Sequence, residues 1–516
     1  MNLFGTYRWK SISGLLYVLC ALALGFLLPA CVTNQEPLPS DLMRHAREAE
    51  AVSRDFPEGN ATYNEAIRQL CVEIERKGPD FSLKNLREAG GIVILPKVPL
   101  PLRHIEIPRG AKLSSDAVGI PVVLDYDTKS SSLYPPEGLF VDATVVVRKA
   151  HGKIAIEFVT SGDSIQIGRS SYRLAIDPTG ASQHLLRRAH KLARSGFMSM
   201  IRPLSMERRP QIYLLDPYDP SKIPLLMVHG LQSTPVAFAT MVDALRSDLQ
   251  VRANYQIWQF YYPSGSPVLA NAADLRDSLI QTLHTLDPEK QYASNRHIVV
   301  IGHSMGGVIS HTLVSSSGNA LWSSVFRVPP ACLAGDADAI RSLTRILEFE
   351  KNPNIARVIF MAAPHRGSPM ADSVIGRIGN SLARLSPLEE SGFSKLSRAN
   401  PDAMMPDAAK FYDAGRFSAV RTLSPKSTAL LALAARPISV PYHSIIGQRH
   451  RGPKDRGSDG VVPYQSSHLD GARSELIVRS GHGVIGNTDA IQEVLRILHE
   501  NDVARYILQT PNQEKL

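Results

Sequence analysis

Three residues, Ser304, Asp459 and His482, have the types that nucleophilic acyl transfer requires, and they follow one another in that order along the chain. A serine hydroxyl is a poor nucleophile until a base takes its proton, and a histidine base needs an acceptor that fixes its tautomer. Ser304 stands in Gly302-His303-Ser304-Met305-Gly306-Gly307, after the strand-like run His297–Ile301 and before the helix-compatible run Val308–Leu313. Glycines on both sides permit a very tight turn and keep bulk away. The hydroxyl is then pushed out at the carboxyl end of a sheet. A helix starting at Ser304 would also aim its amide end at developing negative charge. His482 sits in Ser480-Gly481-His482-Gly483, just past the strand-like Glu475–Val478. Asp459, in Ser458-Asp459-Gly460-Val461-Val462-Pro463, precedes it by 482 − 459 = 23 residues, room for a loop, a strand and a return. Two other aspartates compete. Asp455 is set among Lys454 and Arg456, and Asp470 lies in the turn-like Leu469-Asp470-Gly471. Asp459, followed by Gly460 and two valines, is the one placed to dip against a core. Alone, Asp-Gly is a common turn and His482 an ordinary loop histidine; it is their ordered placement after Ser304 that argues for a triad.

A tetrahedral intermediate of acyl transfer carries an oxyanion, which preorganised backbone N–H groups stabilise. Met305, directly after the nucleophile, would supply one. Leu231, in Val228-His229-Gly230-Leu231 at the end of an early apolar run, would supply the other. His229, His303 and His443 fall inside strand ends or turns and read as structural. His365 precedes Asp459 in the chain and so has the wrong order for the base. The chemistry needs no cofactor and no metal, and no zinc-type spacing of Cys and His occurs.

These residues need a rigid frame. From about residue 212, near-continuous aliphatic runs alternate with helical segments, the pattern of a mostly parallel sheet covered on both faces. The runs are Leu225–Val228, Ile257–Tyr261, His297–Ile301, Val358–Met361, His443–Ile446 and Glu475–Val478. A long insertion, about 369–440, interrupts them and falls where caps form. Its Met404, Met405, Phe411, Tyr412 and Phe417 and the apolar helix Ala429–Ala434 would line an acyl pocket or pack the insertion onto the core. The strongly basic loop Arg449–Arg456 reads as solvated, with contact to anionic headgroups as the alternative.

Upstream the texture differs. Residues 40–76 have helical periodicity, with Leu42, Ala46, Ala49 and Val52 and then Ile67, Leu70, Cys71 and Ile74. From about 91 to 176 the signals are strands. Phe140–Val147 and Ile154–Val159 flank a His151-Gly152 turn, which predicts a hairpin. The expected division is therefore a targeting segment over 1–31, a tether and helical segment over 32–90, a small β-rich domain over 91–210, and a catalytic α/β domain over 211–516.

The 516 residues are 44% apolar and 20% charged, the balance of a globular protein with a sizeable core. The formal charge is +9, from 57 Lys and Arg against 48 Asp and Glu. No basic run with interleaved aromatics occurs, so no nucleic-acid partner is expected. At the start, Arg8 and Lys10 precede an apolar stretch from about Ile12 to Leu28 and then Leu28-Pro29-Ala30-Cys31, which marks a removable targeting segment. An ordinary cleaved signal and a short uncleaved anchor are the competing readings.

On these motifs two resemblances can be named. Leu28–Cys31 resembles the lipobox of bacterial lipoproteins, which implies an acylated Cys31 as the new N-terminus. Val32 in place of Asp resembles outer-membrane sorting, hence a location in the cell envelope, facing the periplasm or the exterior. The stretch from about Pro224 to Leu498 resembles bacterial lipases and esterases of the α/β-hydrolase superfamily. The carrying motifs are Val228–Leu231, Gly302–Gly307, Ala363–Ser368, Ser458–Pro463 and Gly481–Gly483. That resemblance implies the Ser304–His482–Asp459 triad, a wall of the site formed by Ala363–Ser368, and hydrolysis of a carboxylic ester or lipid through an acyl-enzyme. The alternatives are an envelope acyltransferase with the same triad and a non-catalytic binding protein on this fold. No triad member and no elbow glycine is missing.

Overall fold

The computed structural model describes residues 40–53, 60–108, 116–194, 209–371, 393, 395–412 and 419–501. The targeting stretch, Cys31 and Phe417 lie outside the described residues, as does all of 372–392.

The helical periodicity upstream corresponds to helices Ser40–Val52 and Asn60–Lys77. The second buries Tyr63, Ala66, Ile67, Leu70, Cys71 and Ile74, one apolar stripe at the 3.6-residue period. A third helix, Pro79–Glu88, follows at once; periodicity alone does not mark it, but Pro79 in its first turn does. These stripes have no core of their own. They pack on a five-stranded sheet of β1 (Ile92–Ile94), β2 (Leu102–Glu106), β3 (Ile120–Tyr126), β4 (Leu139–Ala150) and β5 (Lys153–Val159), in the order β1-β5-β4-β3-β2. The expected hairpin is β4–β5, with His151 and Gly152 at positive φ in its turn. The buried Tyr63 hydroxyl donates to the Val147 carbonyl at 2.7 Å and accepts its N–H at 2.9 Å, tying helix to strand. A small hairpin, β6 (Ser164–Ile167) and β7 (Ser170–Arg173), and helix Gly180–Arg194 complete this part.

The second sheet has seven strands, and all six aliphatic runs enter it. They are β9 (Ile223–Val228), β10 (Tyr255–Tyr261), β11 (Ile298–His303), β12 (Ile355–Met361), β13 (Tyr442–Gly447) and β14 (Ser474–Val478). The seventh, β8 (Gln211–Leu214), pairs antiparallel at the edge, in the order β14-β13-β12-β11-β9-β10-β8. Alternation sends Leu226, Val228, Trp258, Phe260, Val300 and Phe360 to one face and Leu225, Met227, Ile257, Ile301 and Met361 to the other. Both faces are buried, which is why the strands read as unbroken apolar runs.

Strand order reverses at β9: the next strand, β10, lies on one side and β11 on the other, both parallel to it. Open α/β sheets bind ligands outside the carboxyl ends of strands at such a switch point. Val228 stands opposite Gly302, so β9 and β11 end level, with His229–Leu231 beside His303–Met305.

Removing one hydroxyl tests the tie between helix and first sheet. Tyr63→Phe leaves the Val147 amide without that partner and should cost about 1–3 kcal/mol. The measurement is a lowered urea midpoint at unchanged slope.

Candidate active site

The Ser304 turn is built by crowding. Ser304 has φ 55° and ψ −126°, a conformation few non-glycine residues adopt and one that costs about 1–3 kcal/mol. The Ser304 N–H donates to the Met361 carbonyl at 2.9 Å and the Gly307 N–H to the Ser304 carbonyl at 2.9 Å. A Cβ on Gly306 would collide with the carbonyl oxygens of Val228 and His229, and one on Gly302 would meet Gly306 O and Gly307 Cα at 2.7 Å. Helix Met305–Val314 starts at the serine, so its positive amide end lies at Ser304.

The structure brings Ser304, His482 and Asp459 together from three separate loops. His482 Nε2 lies 2.7 Å from Ser304 Oγ, and His482 Nδ1 lies 2.7 Å from Asp459 Oδ2. With the proton on Nδ1 donated to the carboxylate, Nε2 is free to accept the serine O–H. Asp459 is 1% exposed. A carboxylate buried this deeply needs compensating donors. The N–H groups of Val461 and Val462 supply them to Oδ1, at 2.8 and 2.7 Å. Asp470, in contrast, is exposed and meets His468, and Asp455 is exposed in the basic loop. Neither reaches His482.

The turn after β9 closes the other side. A Cβ on Gly230 would stand 3.0 Å from Ser304 Cβ, so Gly230 abuts the nucleophile and the half-buried Leu231 follows it. Tyr262 fixes this turn: its ring stacks on His229 at 4.2 Å and its hydroxyl donates to the His229 carbonyl at 2.5 Å. Gln232, at φ 53°, donates its N–H to Ser264 Oγ at 3.1 Å.

Two supporting residues escape sequence reading. His303 reads as structural, yet its Nε2–H donates to the His482 carbonyl at 2.9 Å, and the two rings lie 5.2 Å apart. Burial first, and then His482, pushes its pKa down to about 4; burial does the same for His229. Both are therefore neutral at pH 7. Ser368 donates its hydroxyl to the Val461 carbonyl at 2.5 Å and so holds the Asp459 loop. The only signal for either was its place inside a motif. His365 lies buried against Phe360 and His311, in the core beneath the site, its pKa far below the usual range because of burial.

Within the described part of the insertion, Met404, Ala429, Leu430 and Leu433 are buried in the core, while Met405 and Leu431 are partly exposed. The basic loop Arg449–Arg456 is exposed, with the Arg449 guanidinium lying against Gly460 and Gly481. Among the described residues no group of three or more His, Cys, Asp and Glu side chains could hold a metal ion.

A family model described as "Alpha/beta hydrolase family" matches residues 225–497, more than half of the chain. The chain belongs to the alpha/beta hydrolase family. The match takes in Leu231, Ser304, Met305, Asp459 and His482 and leaves out the five-stranded sheet. Among solved structures, the lipase BlEst2 of Bacillus licheniformis in mature form is similar over 56% of this chain and 97% of its own, at 17% identity and a TM-score of 0.34. Lipase 1 of Pelosinus fermentans is similar over 54% and 98%, at 13% identity and a TM-score of 0.34. The esterase EaEST of Exiguobacterium antarcticum is similar over 58% and 96%, at 15% identity and a TM-score of 0.29. No curated protein matches.

The geometry separates the three aspartates of this hydrolase experimentally. Asp459→Asn should keep the fold and lower ester turnover by about ten-thousand-fold, since it favours the wrong histidine tautomer. Asp455→Asn and Asp470→Asn should stay close to the parent. Steady-state kinetics on the three variants, with circular dichroism as the control for folding, makes the comparison.

Proposed function

We propose that this hydrolase cleaves carboxylic esters, those of lipids included, through an acyl-enzyme on Ser304. The observation that carries the reading is the continuous relay from Ser304 Oγ through His482 to the buried Asp459, mounted on a strained elbow at the sheet's switch point.

In the first half-reaction Ser304 Oγ attacks the acyl carbon while His482 Nε2 takes its proton. The carbonyl π electrons move onto oxygen, and the oxyanion is received by the N–H groups of Leu231 and Met305, with the helix amide end behind them. The imidazolium is stabilised by Asp459 and gives its proton to the departing alkoxide, so the alcohol leaves and the ester bond to Ser304 remains. Water then repeats the sequence, with His482 as base, and releases the acid. No step needs a metal or cofactor.

We further infer that the chain is held at a membrane of the bacterial envelope through acylated Cys31. The Arg8–Cys31 sequence supports this. Multiple acyl chains would be needed for retention, because a single chain gives only marginal binding. Mass spectrometry of the mature protein should find an acylated Cys31 at the N-terminus; a different, unmodified start would refute the anchor.

For the catalytic reading, a fluorophosphonate should label Ser304 and no other serine, and Ser304→Ala should lower turnover by about a million-fold. Labelling that persists in Ser304→Ala removes the assignment. Absence of labelling in the folded parent would favour a binding protein, and preferential transfer of the acyl group to an added alcohol would make it an acyltransferase.

A further inference from the structure

At the opposite end of the strands that carry Ser304 and the Gly230 turn lies a cavity of about 480 Å³. One wall is Asp142 on β4 with the loop Thr160–Gly162; the other is the segment Asp216–Lys222 leading into β9, with Arg252 and the start of β10. Strand β9 begins beside this cavity and ends at the Gly230 turn, so roughly 20 Å of strand separates it from the nucleophile. Its size is that of a small-molecule site, ~300–1,000 Å³.

Most of the polar groups in its walls are already committed. Arg246 donates to Asp216 at 2.7 Å, to Ser182 at 3.1 Å and to the Leu215 carbonyl at 2.9 Å. The other Asp216 oxygen accepts the Ile257 N–H at 2.9 Å. Gln256 is taken up by the backbone of Asp219 and Lys222. Asp177 caps its own turn through Thr179.

Lys222 donates to the Arg252 carbonyl at 2.9 Å, and Lys97 is exposed; among the less exposed charges of the lining, Asp142 and Arg252 remain. Asp142 Oδ1 accepts one N–H, from Ala181 at 2.6 Å, and its carboxylate has no ion-pair partner among the described residues. Burial raises its pKa to about 7, although Arg246 and the Ala181 amide pull the other way, so its charge is under-compensated. Arg252 is half-buried, also without an ion-pair partner among the described residues; its guanidinium reaches only the Gly162 carbonyl, at 3.5 Å. The Arg252 guanidinium feels the charge of Asp142 and that of the exposed Asp163. The lining also offers apolar contacts, from Val98, Val141, Leu245 and Val251.

A purely cationic ligand would leave Arg252 unopposed, and a purely anionic one would face Asp142. A ligand with both charges on a short apolar frame satisfies each. We propose that this cavity binds a small zwitterion with the chemistry of an apolar α-amino acid, its ammonium on Asp142 and its carboxylate on Arg252.

The test uses the full protein and three related probes in titration calorimetry: leucine, leucinamide, which lacks the carboxylate, and N-acetylleucine, which lacks the ammonium. Leucine should bind saturably, and each analogue at least ~10-fold more weakly, the effect of losing one charge-assisted contact. Asp142→Asn should abolish the preference over N-acetylleucine, and Arg252→Gln the preference over leucinamide. The absence of saturable binding at millimolar leucine overturns the proposal, and so does equal binding of the three probes. Leucine binding undiminished in both variants overturns it too. The comparison of probes on the unaltered chain decides the matter even if a variant fails to fold.

Discussion

Everything at the site depends on how closely the turn after β11 packs against the end of β9. Gly306 sits so near the Val228 and His229 carbonyls that no side chain fits there, and Gly302 is equally closed in. This contact fixes the nucleophile relative to the neighbouring turn, because the backbone that would carry Ser304 away is wedged against the backbone that carries Leu231. It also accounts for the strained angles of Ser304. The strain persists because hydrogen bonds from the Ser304 and Gly307 amides and the buried sheet over-determine the turn. In the proposed reaction, attack geometry and oxyanion binding are thus set before substrate arrives, the condition under which preorganised dipoles contribute most.

Asp459 is held by a different balance. A carboxylate at 1% exposure would be expelled or protonated without donors. Asp459 has three: two valine amides on Oδ1 and His482 on Oδ2. The valine pair therefore does two things, burying its side chains in part and turning its N–H groups onto the carboxylate. Ser368 and the Val461 carbonyl fasten the loop from outside. Asp455 and Asp470 have no such arrangement, and both are exposed.

Local signals made the frame and the three central residues legible. Six aliphatic runs announced six strands of one sheet, and the glycine-flanked serine announced its turn, because both depend on nearest neighbours in the chain. Strand β8 was not legible, since four residues with half-polar composition gain strand character only by pairing with Trp258–Tyr261. His303 was taken for a structural residue because its bond to the His482 carbonyl spans 179 positions and leaves no local pattern. Asp142 and Arg252 were equally silent: one lies in a β-branched strand and the other in a short helix, and only the fold puts them on one cavity. Pattern reading finds residues that shape their own surroundings and misses those whose surroundings come from elsewhere.

The histidines around the site obey one electrostatic rule. Proton transfer from Ser304 would create an imidazolium at His482, beside the paired Asp459 and near the forming oxyanion. A second positive charge at His303, whose ring centre lies 5.2 Å away, would oppose that step. Burial prevents it, holding His303 and His229 near a pKa of about 4 and therefore neutral at working pH. His303 still gives its Nε2–H to the His482 carbonyl, so it orients the base without charging its environment. His229 gives the oxyanion turn a flat face for Tyr262 on the same terms. Desolvation is a cost at both positions, and its effect is to keep His303 and His229 uncharged beside His482 and Ser304.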